Sequence, residues 1–514
     1  MLRTAFALPG WILAGRICRA LLAAALLGTL AASAAEEPAK TLPAGPAVAD
    51  PIEGVWLGTI TAPQGTVADI GFEFFRTKHG TLVFRMNFPG MFTYAVPFMI
   101  PVETDGHGSY AITPAFNIRL RLDGARLSGT FGLGQLPLEL KRGGQFPPKP
   151  VAPQYPAAPT PLWKFALGAG TWAPPVVADN TIYLGTSAGQ FHAVHAADGT
   201  AAWTWQGAHG IDGRAVVNAD TVYFVDTRMN LIALNRTDGT LCWQTPLHDE
   251  QLAGQPAPDN PTFNHRAATP LILDGVIYCG SSDGGLYALD AVTGAKLWRH
   301  DARAPVFSGV GRHGADTLMF GTMDGSVVLL DRRTRRETLR VKTGGGVVTT
   351  PVVAAGRLVV GSRDYLLYGF NLADGSLAWK FSYWFSWIES TPVPADDGLL
   401  YVGASDYSRV TALDPATGRA RWATPVHGMN WGSPLVIADR VFTGTASQNI
   451  EGTAIAHTGG IMALDRATGA VLWQLPAAPA PAGGFGGYAG SLALAGDKVI
   501  AAGFDGQLIA LPAR

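Results

Sequence analysis

The sequence predicts an all-β protein: an eight-bladed β-propeller preceded by a small antiparallel β-barrel or sandwich. Three observations carry this. First, tryptophans recur at near-constant intervals: Trp163, Trp203, Trp243, Trp298, Trp379, Trp422 and Trp473. Leu339 fills the slot expected between Trp298 and Trp379, and a period of roughly 40–50 residues marks a repeat architecture. Second, each tryptophan closes a unit with four short runs of β-branched and aromatic residues, separated by Asp-Gly and Thr-Gly turns, as in 268–298 and 349–379. Four strands per unit, arranged radially, make a propeller. Third, strands one to three occur eight times, but the last copy ends at Leu511 with no fourth strand, while Trp163 to Phe165 supply a tryptophan strand without predecessors. An N-terminal strand that completes the last blade closes the ring. Seven blades is the count if the weak fourth copy merges with a neighbour.

Within a unit, proline precedes the first strand, where a missing N–H is tolerated. A glycine ends the second strand at Gly185, Gly280, Gly321, Gly361, Gly403, Gly444 and Gly503, and is expected to admit a closely packed neighbour. The tryptophan of the fourth strand is suited to packing between sheets.

The rest of the 514 residues divides into four segments. Residues 1–34 carry Arg3, Arg16 and Arg19, the apolar run Leu21 to Leu30 and then Ala32-Ser33-Ala34. This order describes a secretory signal peptide, and the run is too short for a spanning anchor. Cys18 precedes the apolar run, so no lipoprotein site is read, and export to the periplasm or the medium is expected. Loss of three arginines takes the formal charge from −1 to −4, which argues against nucleic acid as a partner. Residues 35–50 are Pro/Ala-rich linker, residues 51–142 hold eight strand-like runs, and residues 143–160 are a proline-rich spacer. The propeller occupies 161–514.

The unit pattern Pro-Val-Val…Val-Gly-Ser-x-Asp-Gly-x-Leu-Tyr-Ala-Leu-Asp-x-x-Thr-Gly…Trp resembles the pyrroloquinoline-quinone-type (PQQ-like) repeat. That resemblance implies either an eight-bladed quinoprotein dehydrogenase or a non-enzymatic propeller such as the periplasmic scaffold of outer-membrane β-barrel assembly. The opening Gly-x-Trp-x-Gly-x-Ile of 51–142 is similar to a small lipocalin-like domain, which implies a barrel that is solid or holds an apolar ligand. In the enzymes an adjacent cysteine pair, a calcium ion and an aspartate base attend the quinone. This chain has no adjacent cysteines and no CxxCH haem site, so an enzyme is not the favoured reading, although PQQ with calcium remains the cofactor to test. Cys242 and Cys279 are expected to be two buried, unpaired thiols.

Function is sought where the repeats differ, just before each first strand. The candidate ligand-binding residues are Trp172, Asp212, Arg214, Arg266, Trp384, Trp387, Glu389, Asn430 and Trp431, with His265, Phe307, Val348, Thr349 and Tyr488 in matching places. Aromatics beside both signs of charge at one end of a channel suit a pocket. Each has a structural alternative: the run Tyr383 to Trp387 packs between blades, and Asp212 with Arg214, or Glu389 with an arginine, forms an ion pair. Three readings stand: an exported scaffold binding a ligand or periplasmic protein, a quinone-dependent oxidoreductase, and a glycan- or peptide-binding module with Trp172, Trp384, Trp387 and Trp431 as platforms. The long inserts 246–265 and 445–459 are candidates for a lid or a docking loop.

Overall fold

A computed structural model describes residues 50–514, except 92, 114–115, 133–134, 150, 152, 249–267, 385, 449–458 and 482–483. The signal-peptide reading, most of the first linker and of the 246–265 insert, and residues 449–458 of the second insert therefore lie outside the described residues. Two compact units are present, one ending its main stretch at Pro153 and one comprising Gln154–Gln448, His457–Pro481 and Phe485–Arg514.

The N-terminal unit is a nine-stranded antiparallel sheet in which Gly54–Thr61 pairs with both Val67–Arg76 and Leu136–Arg142. The two-residue strand Glu103–Thr104 adds to the eight runs read from the sequence. The sheet curls, because Phe98 on one edge strand meets Phe116, beside the strands of the opposite edge, at 4.9 Å between ring centroids. Phe72, Phe84, Phe88, Phe131 and Trp56 fill the concave side and are buried. Aromatic rings of this size occupy the interior of a small barrel by themselves.

The propeller has eight blades of four strands each, and blade 7 carries a fifth, Phe485–Gly487, paired with its second strand. Blades 1 to 7 span 176–206, 216–246, 271–301, 311–342, 352–382, 393–425 and 435–476, and blade 8 joins 493–512 to Trp163–Ala166. The closing strand pairs antiparallel with Gln507–Pro512, Trp163 lying opposite Ala510. Among the described residues there is no α-helix, only a 3-10 turn at Pro89–Met91, and no helix long and apolar enough to cross a membrane.

The tryptophan period has a packing cause. Each fourth-strand tryptophan lies opposite a small residue of its own third strand: Trp203 faces Ala193, Trp243 faces Ala233, Trp379 faces Gly369 and Trp422 faces Ala412. Its indole then reaches the next blade. Trp203 Nε1 donates to the Arg236 carbonyl (2.9 Å), Trp379 to Pro415 (2.9 Å) and Trp422 to Arg466 (3.0 Å). The ring lies on the Asp-Gly or Thr-Gly turn there. Gly239 and Gly418 have φ of 74° and 69°, and a Cβ on either would overlap the ring. Blade 4 lacks the tryptophan because it exchanges volume: Leu339 faces Leu329 where other blades pair Trp with Ala or Gly.

Among the described residues two thiols are free, Cys279 buried and Cys242 exposed. The expectation of two buried thiols is corrected at Cys242, because the outermost strand Leu241–Pro246 shows its outer face to solvent.

The volume exchange predicts a strong coupling. Leu339→Trp alone overpacks blade 4 and should cost about 1–3 kcal/mol in urea unfolding. Leu329→Ala together with Leu339→Trp should recover most of that loss, with a coupling energy of about 1 kcal/mol or more. Additive effects of the two changes would refute the exchange.

Candidate binding face of the propeller

Five residues lead into each first strand, and their alternation decides what they can touch. Lead-in position one is Thr171, Ile211, Arg266, Val306, Val347, Ile388, Asn430 and Tyr488 in blades 1 to 8. In most described blades it sits on the glycine that ends the second strand of the preceding blade: a Cβ on Gly185 would overlap Ile211, on Gly280 Val306, on Gly321 Val347 and on Gly361 Ile388. Its N–H donates to the hairpin beyond that glycine, as in Ile211 to Thr186 O (2.9 Å) and Val347 to Thr322 O (3.0 Å). In extended chain the next side chain points the other way, so positions two and four face the propeller axis. Position four lies against its counterparts around the ring: Thr350 N donates to Thr391 Oγ1 (3.1 Å), and Ser433 N to Ser491 Oγ (2.8 Å).

This alternation sorts the candidates. Trp172, Asp212, Glu389 and Trp431 occupy position two and Arg214 position four. Asn430 holds position one: it is fully buried, and its amide donates to Thr443 Oγ1 and to the Gly444 carbonyl (2.7 Å). Trp384, at 2% exposure with φ of 60°, is buried in the turn after blade 5 and offers no open stacking face. Tyr383 beside it is part of the apolar core joining blades 5 and 6. Arg266 and His265 lie outside the described residues.

The axis-facing residues meet partners from the hairpin between strands two and three of the preceding blade, which the sequence reading missed. In the acid sector, Ser187 Oγ donates to Asp212 Oδ1 at 2.7 Å. Burial raises the Asp212 carboxyl to about pKa 6, with the Ser187 hydrogen bond opposing. In the ionic sector, Arg363 of blade 5 grips Glu389 through Nε (2.9 Å) and a terminal nitrogen (2.6 Å), both side chains largely buried. The same guanidinium lies 4.6 Å above the half-buried Trp387 ring, a cation–π arrangement. Asp406 completes this sector, raised to about pKa 6 by burial and by the nearby Glu389 charge, with a lowering contribution from Ser405. In the aromatic sector, Trp172 contacts Trp431 (5.2 Å), Phe485 (5.2 Å) and Phe504 (4.7 Å). Phe504 is a hairpin residue, and Phe485 belongs to a short ribbon, Phe485–Gly487, paired with the extended strand Arg440–Gln448. Phe307 and Val348 close an apolar sector with Met323.

Chemically, this face has one completed ion pair, a set of ring contacts and two acids raised by burial to about pKa 6. A quinone of the PQQ type is held over calcium, which takes six to eight oxygens. Among the described residues no three His, Cys, Asp or Glu side chains cluster to hold a metal, and the three cysteines of the chain are not adjacent. The described residues do not fit that cofactor.

Fold and face together define an eight-bladed propeller of the PQQ-like repeat class with a polar and aromatic axis-facing ring. The chain belongs to the family described as outer membrane protein assembly factor BamB, whose profile matches residues 157–286, 205–315, 282–384 and 382–514. It is similar to that assembly factor from Yersinia pestis, 28% identical over 257 residues covering 46% of this chain and 60% of that one. It is also similar to the quinoprotein alcohol dehydrogenase PedH of Pseudomonas putida, 32% identical over 132 residues, 22% of each protein. The chain spans about half the length of the assembly factors it matches. Among solved structures, BamB from Moraxella catarrhalis superposes with a TM-score of 0.52 at 17% identity, covering 69% of this chain and 97% of that one. A quinohemoprotein alcohol dehydrogenase from Pseudomonas putida gives 0.51 at 14%, covering 69% and 76%. Both share the fold.

The raised Asp212 carboxyl sets a pH dependence with a definite sign. Its folded value lies above the ordinary 3.8, so between about pH 4 and 6 the folded state holds a proton that the unfolded state has lost. Stability from this group is present at low pH and falls as pH rises through that interval. Asp212→Asn should therefore stabilise the protein by roughly 1–3 kcal/mol at pH 7, with the gain vanishing below about pH 4. A gain that persists at pH 3.5 in urea unfolding would contradict the assignment.

Proposed function

We propose that this protein is an exported, non-enzymatic scaffold whose propeller binds a protein partner in the periplasm. The observation that carries the reading is the axis-facing ring. Its side chains break the repeat, yet they are tied into Arg363–Glu389–Trp387, Ser187–Asp212 and the Trp172–Trp431–Phe485–Phe504 group. Such a face is held in shape by its own contacts, as recognition requires, and among the described residues no three His, Cys, Asp or Glu side chains cluster to hold a metal. Fold alone does not assign activity, but the family's name, shared by relatives from Yersinia pestis and Bordetella pertussis, supports outer-membrane protein assembly as the setting. The basic–apolar–small order of residues 1–34 supports export.

In-cell crosslinking of the tagged mature chain should recover components that assemble outer-membrane β-barrels. Trp387→Ala with Arg363→Ala should reduce recovery severalfold while leaving the melting transition cooperative. The opposing result is uptake of pyrroloquinoline quinone at micromolar concentration with Ca²⁺, giving a bound chromophore and alcohol-dependent dye reduction.

A further inference from the structure

Lead-in position four forms a collar around the propeller axis. Its members are Pro174, Arg214, Thr269, Gly309, Thr350, Thr391, Ser433 and Ser491 in blade order. The collar is continuous where neighbours can be traced: a Cβ on Gly309 would meet both Thr350 Oγ1 and Thr269, and the Thr350–Thr391 and Ser433–Ser491 hydrogen bonds link further pairs. Apart from Arg214 every member is small, and most are hydroxyl-bearing. All but Gly309 reach solvent, and Arg214 is exposed.

Arg214 differs from the other well-placed arginines of the propeller. Arg236 meets Asp179 (2.6 Å), Arg332 meets Asp316 (3.0 Å), Arg363 meets Glu389 and Arg466 meets Asp397 (2.9 Å). Among the described residues Arg214 has no carboxylate within ion-pair distance. Asp212, two residues earlier in the same segment, is hydrogen-bonded to Ser187, and Glu389, in the position of blade 6 that matches Asp212, is held by Arg363. Surrounding protein desolvates Arg214 and lowers its pKa. A planar fork of donors without a carboxylate partner of its own matches an incoming carboxylate in bidentate geometry.

We infer that the Arg214 collar is a binding site for an organic carboxylate, with the guanidinium as anion contact and the hydroxyl of Thr269, in the adjacent blade's collar position, as a further donor. The inference rests on the axis-facing ring being a binding face, but not on the identity of any protein partner. The carboxylate can belong to a free small acid or to an acidic side chain of a bound peptide.

The test uses the mature full-length protein and two probes: succinate followed by calorimetry, and a fluorescein-labelled peptide of five Glu-Gly repeats followed by anisotropy. Saturable binding of either is expected, weakened about tenfold or more by Arg214→Gln and unchanged by Arg419→Gln, an exposed arginine in a turn of blade 6. Succinate binding that the peptide cannot match assigns a free acid, and the converse assigns a peptide. Failure of both probes, or equal binding to wild type and Arg214→Gln, overturns the site. Because neither probe depends on partner recovery, the scaffold reading can fail while the carboxylate site stands, and the reverse.

Discussion

The contact on which the face depends is the seating of one side chain of each lead-in segment on the glycine that ends the second strand of the blade before it. Val347 on Gly321 and Ile388 on Gly361 are typical. A hydrogen bond from the seated residue's N–H to the hairpin carbonyl fixes the segment along its length as well as sideways. Once that residue is fixed, the period-two alternation of extended chain leaves no freedom for the next three. A shift of one residue would turn Asp212, Glu389 and Trp431 into the blade interface and bring Ile211, Ile388 and Asn430 to the axis.

This geometry explains why charge is tolerated so close to the axis. A buried ion is costly unless paired and hydrogen-bonded, and the hairpin of the preceding blade is the element that can supply the partner. Blade 5 supplies Arg363 to Glu389, and the pair is capped by the Trp387 ring. Blade 1 supplies only the Ser187 hydroxyl to Asp212, and its pKa rises accordingly. Two acids in matching positions thus have different partners, a guanidinium for Glu389 and a hydroxyl for Asp212, each supplied by one hairpin residue.

Much of the fold is legible in the sequence because it is written eight times. The tryptophan interval, the strand that completes blade 8 and the Leu339 substitution all follow from aligning copies, and the structure adds only the reason for the last, the Leu329 partner. The face is less legible. Candidate residues were chosen from a window of several positions, and the sequence does not say which of them seats on the glycine, so Asn430 stood beside Trp431 as an equal. Arg363, Ser187, Phe504 and Phe485 were missed because each approaches from another blade or from a ribbon outside the repeat. A signal did exist: the second residue of the hairpin is Ser187, Thr227, Ser282, Met323 and Arg363 in blades 1 to 5, and it varies as freely as the lead-in segment itself. Trp384 is buried, which density of aromatics along the chain does not report.

The alternation itself is open to direct measurement by thiol accessibility. In a Cys242→Ser background, single cysteines at position four (Arg214→Cys, Thr391→Cys) and at position one (Val347→Cys, Ile388→Cys) would be treated with a water-soluble maleimide under native conditions. Rapid labelling at position four, with labelling at position one only after denaturation, is the result this geometry predicts. Comparable native labelling at both positions would contradict it.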